Sequence, residues 1–245
     1  MHAIALDDSR LLDTWDRAAM LDRPWRELAL LESASGIPFD SLARLSIGER
    51  DRLLLAVRIG TFGKHLECET ACPSCGTRLQ LAFDAAQLIV PQRTVNASDL
   101  ELTDDDWTVR FRLPDSNDLA ACSANIVENG DAADILAERC MTVTSSQQSA
   151  TNSVIPNRIR ERVTERMSVL DPQADVSLSL HCAACSHEWQ APFDPAAFLL
   201  HEVDGYAARL TTEVHRLARA YGWSEASILE MSPVRRRRYL SLLLQ

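Results

Sequence analysis

Four cysteines in two spaced pairs are the residues of this chain best suited to chemistry. Cys72 and Cys75 form one Cys-x-x-Cys unit, and Cys182 and Cys185 form another 110 residues later. Two residues between cysteines let one tight turn aim both sulfurs at a single metal ion. Zn²⁺ prefers four tetrahedral ligands and takes thiolates well, so two such turns complete one shell. A closed four-thiolate shell leaves no position for a substrate water. That predicts a structural Zn²⁺, one per chain, rather than a catalytic one. The 106 residues between the pairs make the site a split ribbon. Closing such a loop costs roughly 4 kcal/mol of chain entropy, against roughly 10–16 kcal/mol for structural zinc binding.

The likeness between the two units runs past the cysteines. Phe83 and Asp84 begin 11 residues after Cys72, and Phe193 and Asp194 begin 11 residues after Cys182. Apolar residues continue in register: Ala86 with Ala196, Leu88 with Phe198, Ile89 with Leu199. A strand–knuckle–strand unit leading into a helix start is therefore expected twice. Cys68, His181 and His187 lie close enough to substitute as ligands, but each breaks the symmetry; Leu178 stands where a second Cys68 would be. The alternatives are two unrelated pairs of buried thiols, or a redox pair. A thioredoxin-type pair needs a βαβ context, and none is visible. Four thiolates on one zinc carry a net charge of −2, which Lys64, His65, Arg78 or His187 are placed to offset.

Helical patterns flank these units. Residues 8–63 read as helices: Leu12, Trp15 and Ala19 share one face, Pro24 suits a first turn, and Ser46 with Glu49 has capping-box spacing. Gly60 and Gly63 are expected to end the last of them. Residues 86–106 read as mixed and partly loop, with "TDDDW" an acidic turn. "WTVRFRL" alternates like a strand. Helices are expected through "NDLAACSANIVE", capped by Asp115 or Ser116, through "DAADILAERC", and from Pro156 to Leu170. "MTVTSSQQSATNS" is the most linker-like stretch. Leu199, Val203, Tyr206, Leu210, Val214, Leu217 and Tyr221 recur at helical pitch until Gly222. Two short helices come next, the second with Ser232 as N-cap and Pro233 at its first position.

The chain thus divides into a helical region (1–63), a first zinc hairpin (64–90), an α/β insertion (91–175), a second zinc hairpin (176–197) and a C-terminal helical region (198–245). The fold class is α+β.

Composition bounds the function. With 245 residues, 46% hydrophobic and 24% charged, the balance is that of a globular protein. Net charge is −10, which disfavours a general grip on nucleic acid. No apolar run approaches a membrane span, and the acidic N-terminal stretch is unlike a signal peptide, so a cytoplasmic protein is expected. Seven cysteines are then thiols or ligands rather than a disulfide framework. Cys122 and Cys140 sit in apolar helical patterns and read as buried thiols. His201 and His215 read as surface. Asp104, Asp105 and Asp106 read as a solvated turn. "HEVDG" lacks the second histidine of a metalloprotease helix, and no phosphate-binding loop or nucleophile elbow is present. No catalytic residues and no small-molecule substrate are expected.

Arg235 to Arg238 are consecutive, and successive helical residues point about 100° apart. At least one must lie against protein. Either it pairs within the chain, with Glu213, Glu225 or Glu230, or the run docks an acidic surface of another protein. Nucleic acid ranks third.

"LLDTWDRA", "LSIGERDRLLLAVRIGTFG" leading into "CPSCG", and "EVHRLARAYGWSEASILEMSPVRRRRYLSLL" resemble the baseplate hub assembly chaperone family of contractile phage tails, with relatives in other contractile injection systems. The resemblance covers both ends and both knuckles, and 91–175 only loosely. It implies a non-enzymatic accessory protein that helps baseplate or hub subunits assemble. Cys72, Cys75, Cys182, Cys185 and the Tyr221-Gly222-Trp223 turn are the matching positions. Candidate partner contacts are Trp223, Arg235, Arg236 and the acidic N-terminal helix. The alternatives are a structural baseplate subunit that stays in the particle and a zinc-ribbon nucleic-acid-binding regulator.

Overall fold

The computed structural model describes residues 4–91, 94–104, 107–125, 132–145 and 155–243. It is an α+β fold. Four helices open it: α1 (Asp8–Ala18), α2 (Trp25–Ser35), α3 (Phe39–Ala43) and α4 (Ile47–Phe62). The Asp7 carboxylate caps α1 by accepting the Arg10 amide. Its buried face is Leu11, Leu12, Thr14 and Ala18; Ala19, expected on that stripe, is the C-cap instead. The capping box of Ser46 and Glu49 starts α4. Gly60 does not end it: the helix continues to Phe62, and Gly63 is the C-cap. The glycine at position 60 has a packing role, since a Cβ there would run into the Ile4 carbonyl.

The first hairpin pairs β1 (His65–Ala71) with β2 (Arg78–Asp84), Leu66 opposite Phe83 and Cys68 opposite Leu81. The insertion holds β3 (Glu101–Asp104), β4 (Trp107–Phe111), α5 (Ser116–Asn125), α6 (Ala132–Cys140), β5 (Met141–Ser145) and α7 (Asn157–Leu170). Its sheet is antiparallel in the order β3-β4-β5. Two of these strands were not expected. β3 occupies the stretch read as mixed, and β5 the start of the stretch read as a linker. The polar composition of "MTVTS" hid an alternation that sets Met141 and Val143 opposite Phe111 and Val109 in the register. The remainder of that linker-like stretch, and Asp105 and Asp106, lie outside the described residues.

The second hairpin pairs β6 (Ser177–His181) with β7 (Glu188–Pro192), and α8 (Pro195–Tyr221), α9 (Glu225–Leu229) and α10 (Pro233–Leu242) complete the chain. Ser232 caps α10 with Pro233 at its first position.

Three apolar clusters hold this together. The largest joins α1–α4 to α8 through Leu11, Leu28, Leu31, Leu54, Leu199, Val203 and Leu210. Val109, Phe111, Met141, Ile159 and Val163 form the core of the insertion. The third joins Leu55, Leu66, Ala85 and Leu88 to Phe83, Leu178, Phe193 and Phe198, so both hairpins rest on one core. The two terminal regions meet as well: the Tyr206 hydroxyl donates to Asp8 Oδ1 at 2.6 Å and Trp15 Nε1 to Asp204 Oδ1 at 2.8 Å.

Candidate metal centre

Each knuckle is built by the same two backbone hydrogen bonds. In the first, the Cys72 amide donates to the Thr77 carbonyl and the Gly76 amide to the Cys72 carbonyl, both at 2.9 Å. In the second, the Cys182 amide donates to the His187 carbonyl at 2.9 Å and the Ser186 amide to the Cys182 carbonyl at 2.8 Å. The turn requires a left-handed residue just after the second cysteine. Gly76 supplies it at φ 74°, and Ser186, 110 positions on, takes φ 59°. Residues 71–80 and 181–190 share the same sequence of strand, turn and burial at every position.

The two knuckles bring their thiols together. All four Sγ atoms lie within 4.8 Å of one another. The close pairs run between hairpins: Cys72 to Cys185 at 3.6 Å and Cys75 to Cys182 at 3.7 Å. A tetrahedron of sulfurs about 2.3 Å from zinc has edges of about 3.8 Å, so the spacing fits that ion. A disulfide needs about 2.05 Å, and all seven cysteines are free thiols. Cys72 and Cys182 are buried, while Cys75 and Cys185 face solvent.

The Thr77 hydroxyl and amide, with the neighbouring thiols, lower the Cys75 thiol to about 6. The His187 amide acts the same way on Cys185, yet the surrounding thiols and burial push that thiol up to about 11. The two exposed thiols are thus shifted in opposite directions, as titrating groups that interact at close range are. The chemistry of the donors, their number and their spacing fit Zn²⁺.

Below the sulfurs the repeat closes on itself. Phe83 and Phe193 meet edge to face, with centroids 6.5 Å apart. Asp84 Oδ1 accepts the Ala86 amide and Asp194 Oδ1 accepts the Ala197 amide, so each copy caps the segment after it. Those two segments differ. The second copy launches the 27-residue α8. The first makes only a 3-10 turn, Ala85–Leu88, where a helix start was expected. Ile89 and Val90 are β-branched, and Pro91 disfavours helical backbone at the residue before it.

Arg58, unnoticed in the sequence, fixes the first hairpin against α8. Its guanidinium donates to both Glu202 carboxylate oxygens at 2.9 Å, to the Gly63 carbonyl at 2.8 Å and to the His65 carbonyl at 2.7 Å. It is buried and lies 5.9 Å from the centroid of Phe198. The signal available was an arginine one residue before the apolar Ile59 near a helix end.

The other candidates fall away from the cluster. Cys68 packs on the shared core, and burial pushes its thiol up. His187 stacks on Trp189 at 5.8 Å, and His65 pairs with Glu67 at 2.9 Å. Cys140 donates to Asp118 at 3.5 Å and Cys122 to the Ala132 carbonyl at 3.7 Å, both buried. Asp104 pairs with Arg162. Arg236, a candidate partner contact, is turned inward and only 1% exposed. It donates to Asp8 at 2.6 Å, Glu213 at 3.1 Å and the Met231 carbonyl at 2.8 Å. Of the partners anticipated for the arginine run, Glu213 is the one engaged by Arg236. Among the described residues no helix is long and apolar enough to cross a membrane.

Fold and site define an α+β protein clasped by a split four-cysteine ribbon. Residues 30–200, more than half of the chain, match the model of the T4 bacteriophage base plate protein family, and the chain belongs to that family. The match contains both knuckles and the insertion, which the resemblance in sequence reached only loosely. Comparison with curated proteins and with solved structures gave no match.

Proposed function

We propose that Cys72, Cys75, Cys182 and Cys185 hold one structural Zn²⁺, and that the chain is a non-enzymatic assembly factor for the baseplate or hub of a contractile tail. Family membership over residues 30–200 carries this reading, and the sequence likeness at both ends supports the assembly role. Zinc would supply charge neutralisation for the four sulfurs and a clamp between two hairpins distant in sequence. Arg58 and the shared phenylalanine core orient those hairpins, and with them the exit direction of α8. The chain would then present fixed helical surfaces to other baseplate or hub proteins.

Deleting the gene and imaging the particles tests the role. Tails without baseplates, together with absence of the chain from purified mature particles by mass spectrometry, are expected. Normal, contractile particles from the deletion would refute it. The family description names a base plate protein, which favours one second reading, a structural subunit. Its signature is stoichiometric presence in purified particles.

A further inference from the structure

We infer that the face formed by Tyr221, Trp223, Arg235, Arg238, Tyr239 and Leu242 is a docking surface for an acidic segment of another baseplate protein; this rests on the proposed assembly role. The three rings form one cluster. Tyr221 and Trp223 stack with centroids 4.5 Å apart at 16°, and Tyr239 meets Trp223 edge-on at 4.9 Å. The Arg235 guanidinium lies 5.9 Å from the centroid of Tyr239. Arg235, Arg238, Tyr239 and Leu242 recur at helical steps of three and four along one side of α10. Arg236, about a third of a turn round the helix from this stripe, is anchored to Asp8 and Glu213. The stripe itself faces outward: Arg235 and Arg238 are exposed, and Tyr221 is 36% and Leu242 55% exposed. Aromatic and arginine side chains with apolar neighbours are the composition of interface centres.

Charge selects the partner. Residues 205–245 carry seven arginines and three glutamates on a chain of net charge −10. Six of those arginines are exposed, against the exposed Glu225 and Glu230. Arg235 lies against the aromatic cluster and Arg238 shares its face of α10, both exposed, so the complementary surface is acidic. A second copy offering the same face would set arginine against arginine, and a head-to-tail contact would tend to propagate rather than close. Nucleic acid fits less well. Tyr221 and Trp223 have each turned a face to the other and Arg235 covers Tyr239, whereas base binding uses open ring faces.

The test uses the full chain with a photo-crosslinking residue at position 235, co-expressed with the other baseplate proteins of the same tail. A crosslink to an Asp/Glu-rich segment of one of them is expected. The Arg235→Glu/Arg238→Glu variant should bind that protein at least about tenfold more weakly, with unchanged melting, and Trp223→Ala should weaken it too. Arginines placed in the mapped acidic segment should restore binding to the charge-reversed variant. A crosslink to a neutral or basic segment, to a second copy or to nucleic acid overturns the inference. If the reversed variant binds the same protein undiminished, the surface is wrong and the assembly role stands. If the native chain binds none of the baseplate proteins, both fail.

Discussion

Phe83 and Phe193 occupy the same place in two copies of one unit and meet edge to face, 6.5 Å between centroids. The contact lies on the core shared by both hairpins, so the four-thiol cluster and the phenylalanines join the same two elements at different depths. Phe193→Ala should therefore cost about 2–3 kcal/mol, less than a fully buried phenylalanine because the ring is only partly buried. Denaturant unfolding measures the cost. The variant should also lose metal to a chelator faster than the native chain. Unchanged metal retention would show that the two layers act independently.

Metal analysis of the purified chain should give about one zinc per molecule. Cys182→Ser removes a buried ligand, and both its zinc content and its stability should fall, with Tm down by roughly 10 °C or more. Binding displaces protons from thiols, so affinity should fall about tenfold per pH unit for each proton taken up on acidification. Titration with a chromogenic chelator between neutral and mildly acidic pH reads this directly. A metal-free chain that is fully folded and stable would defeat the zinc clasp.

Arg58 is expected to matter more for stability than its distance from the sulfurs suggests. Arg58→Ala leaves the Gly63 and His65 carbonyls and the Glu202 carboxylate without their donor, at a cost of roughly 3–5 kcal/mol. Arg58→Lys should recover little, because an ammonium cannot reproduce the planar fork. Equilibrium unfolding of the two variants decides this.

Arg235 and Arg236 are neighbours with opposite fates. Arg236→Ala strands Asp8 and Glu213 and should cost roughly 2–4 kcal/mol, those acids being partly solvated. Arg235→Ala should stay within about 0.5 kcal/mol. Similar losses for both in denaturant unfolding would mean that α10 packs differently.

Asp118 gives the insertion its acid sensitivity. It is buried and accepts from Arg112 at 2.5 and 2.8 Å, from Arg139 at 2.8 Å and from the Asp115 amide at 3.0 Å. Burial opposes its charge, but these donors prevail and hold the carboxyl well below the usual carboxylate range. The folded state therefore keeps this proton off more strongly than the unfolded chain does. The stabilisation is fully present above the unfolded value of about 4 and is lost as pH falls through the folded one. Asp118→Asn should cost roughly 2–3 kcal/mol at neutral pH, since both arginines stay partly hydrated, and should flatten the acid limb of the stability–pH curve.

The cysteine spacing, the repeated Phe-Asp pair and the helical periodicities determined much of this protein from the sequence alone. Cys72, Cys75, Cys182 and Cys185 were legible as one group because ligand spacing and internal duplication are local, countable properties. The capping box at Ser46 and the stop at Gly222 were legible for the same reason. Tertiary structure decided whatever depends on distant partners. β3 and β5 are strands because β4 lies between them, a pairing that no polar stretch announces by itself. Asp84 and Asp194 cap at equivalent places in the repeat, yet the chain after each decides between one turn and a long helix. Four consecutive arginines required that one be buried; only the packing of α10 on α1 and α8 chose Arg236. Arg58 stayed invisible because its partners, Gly63, His65 and Glu202, come together only when the first hairpin docks on α8.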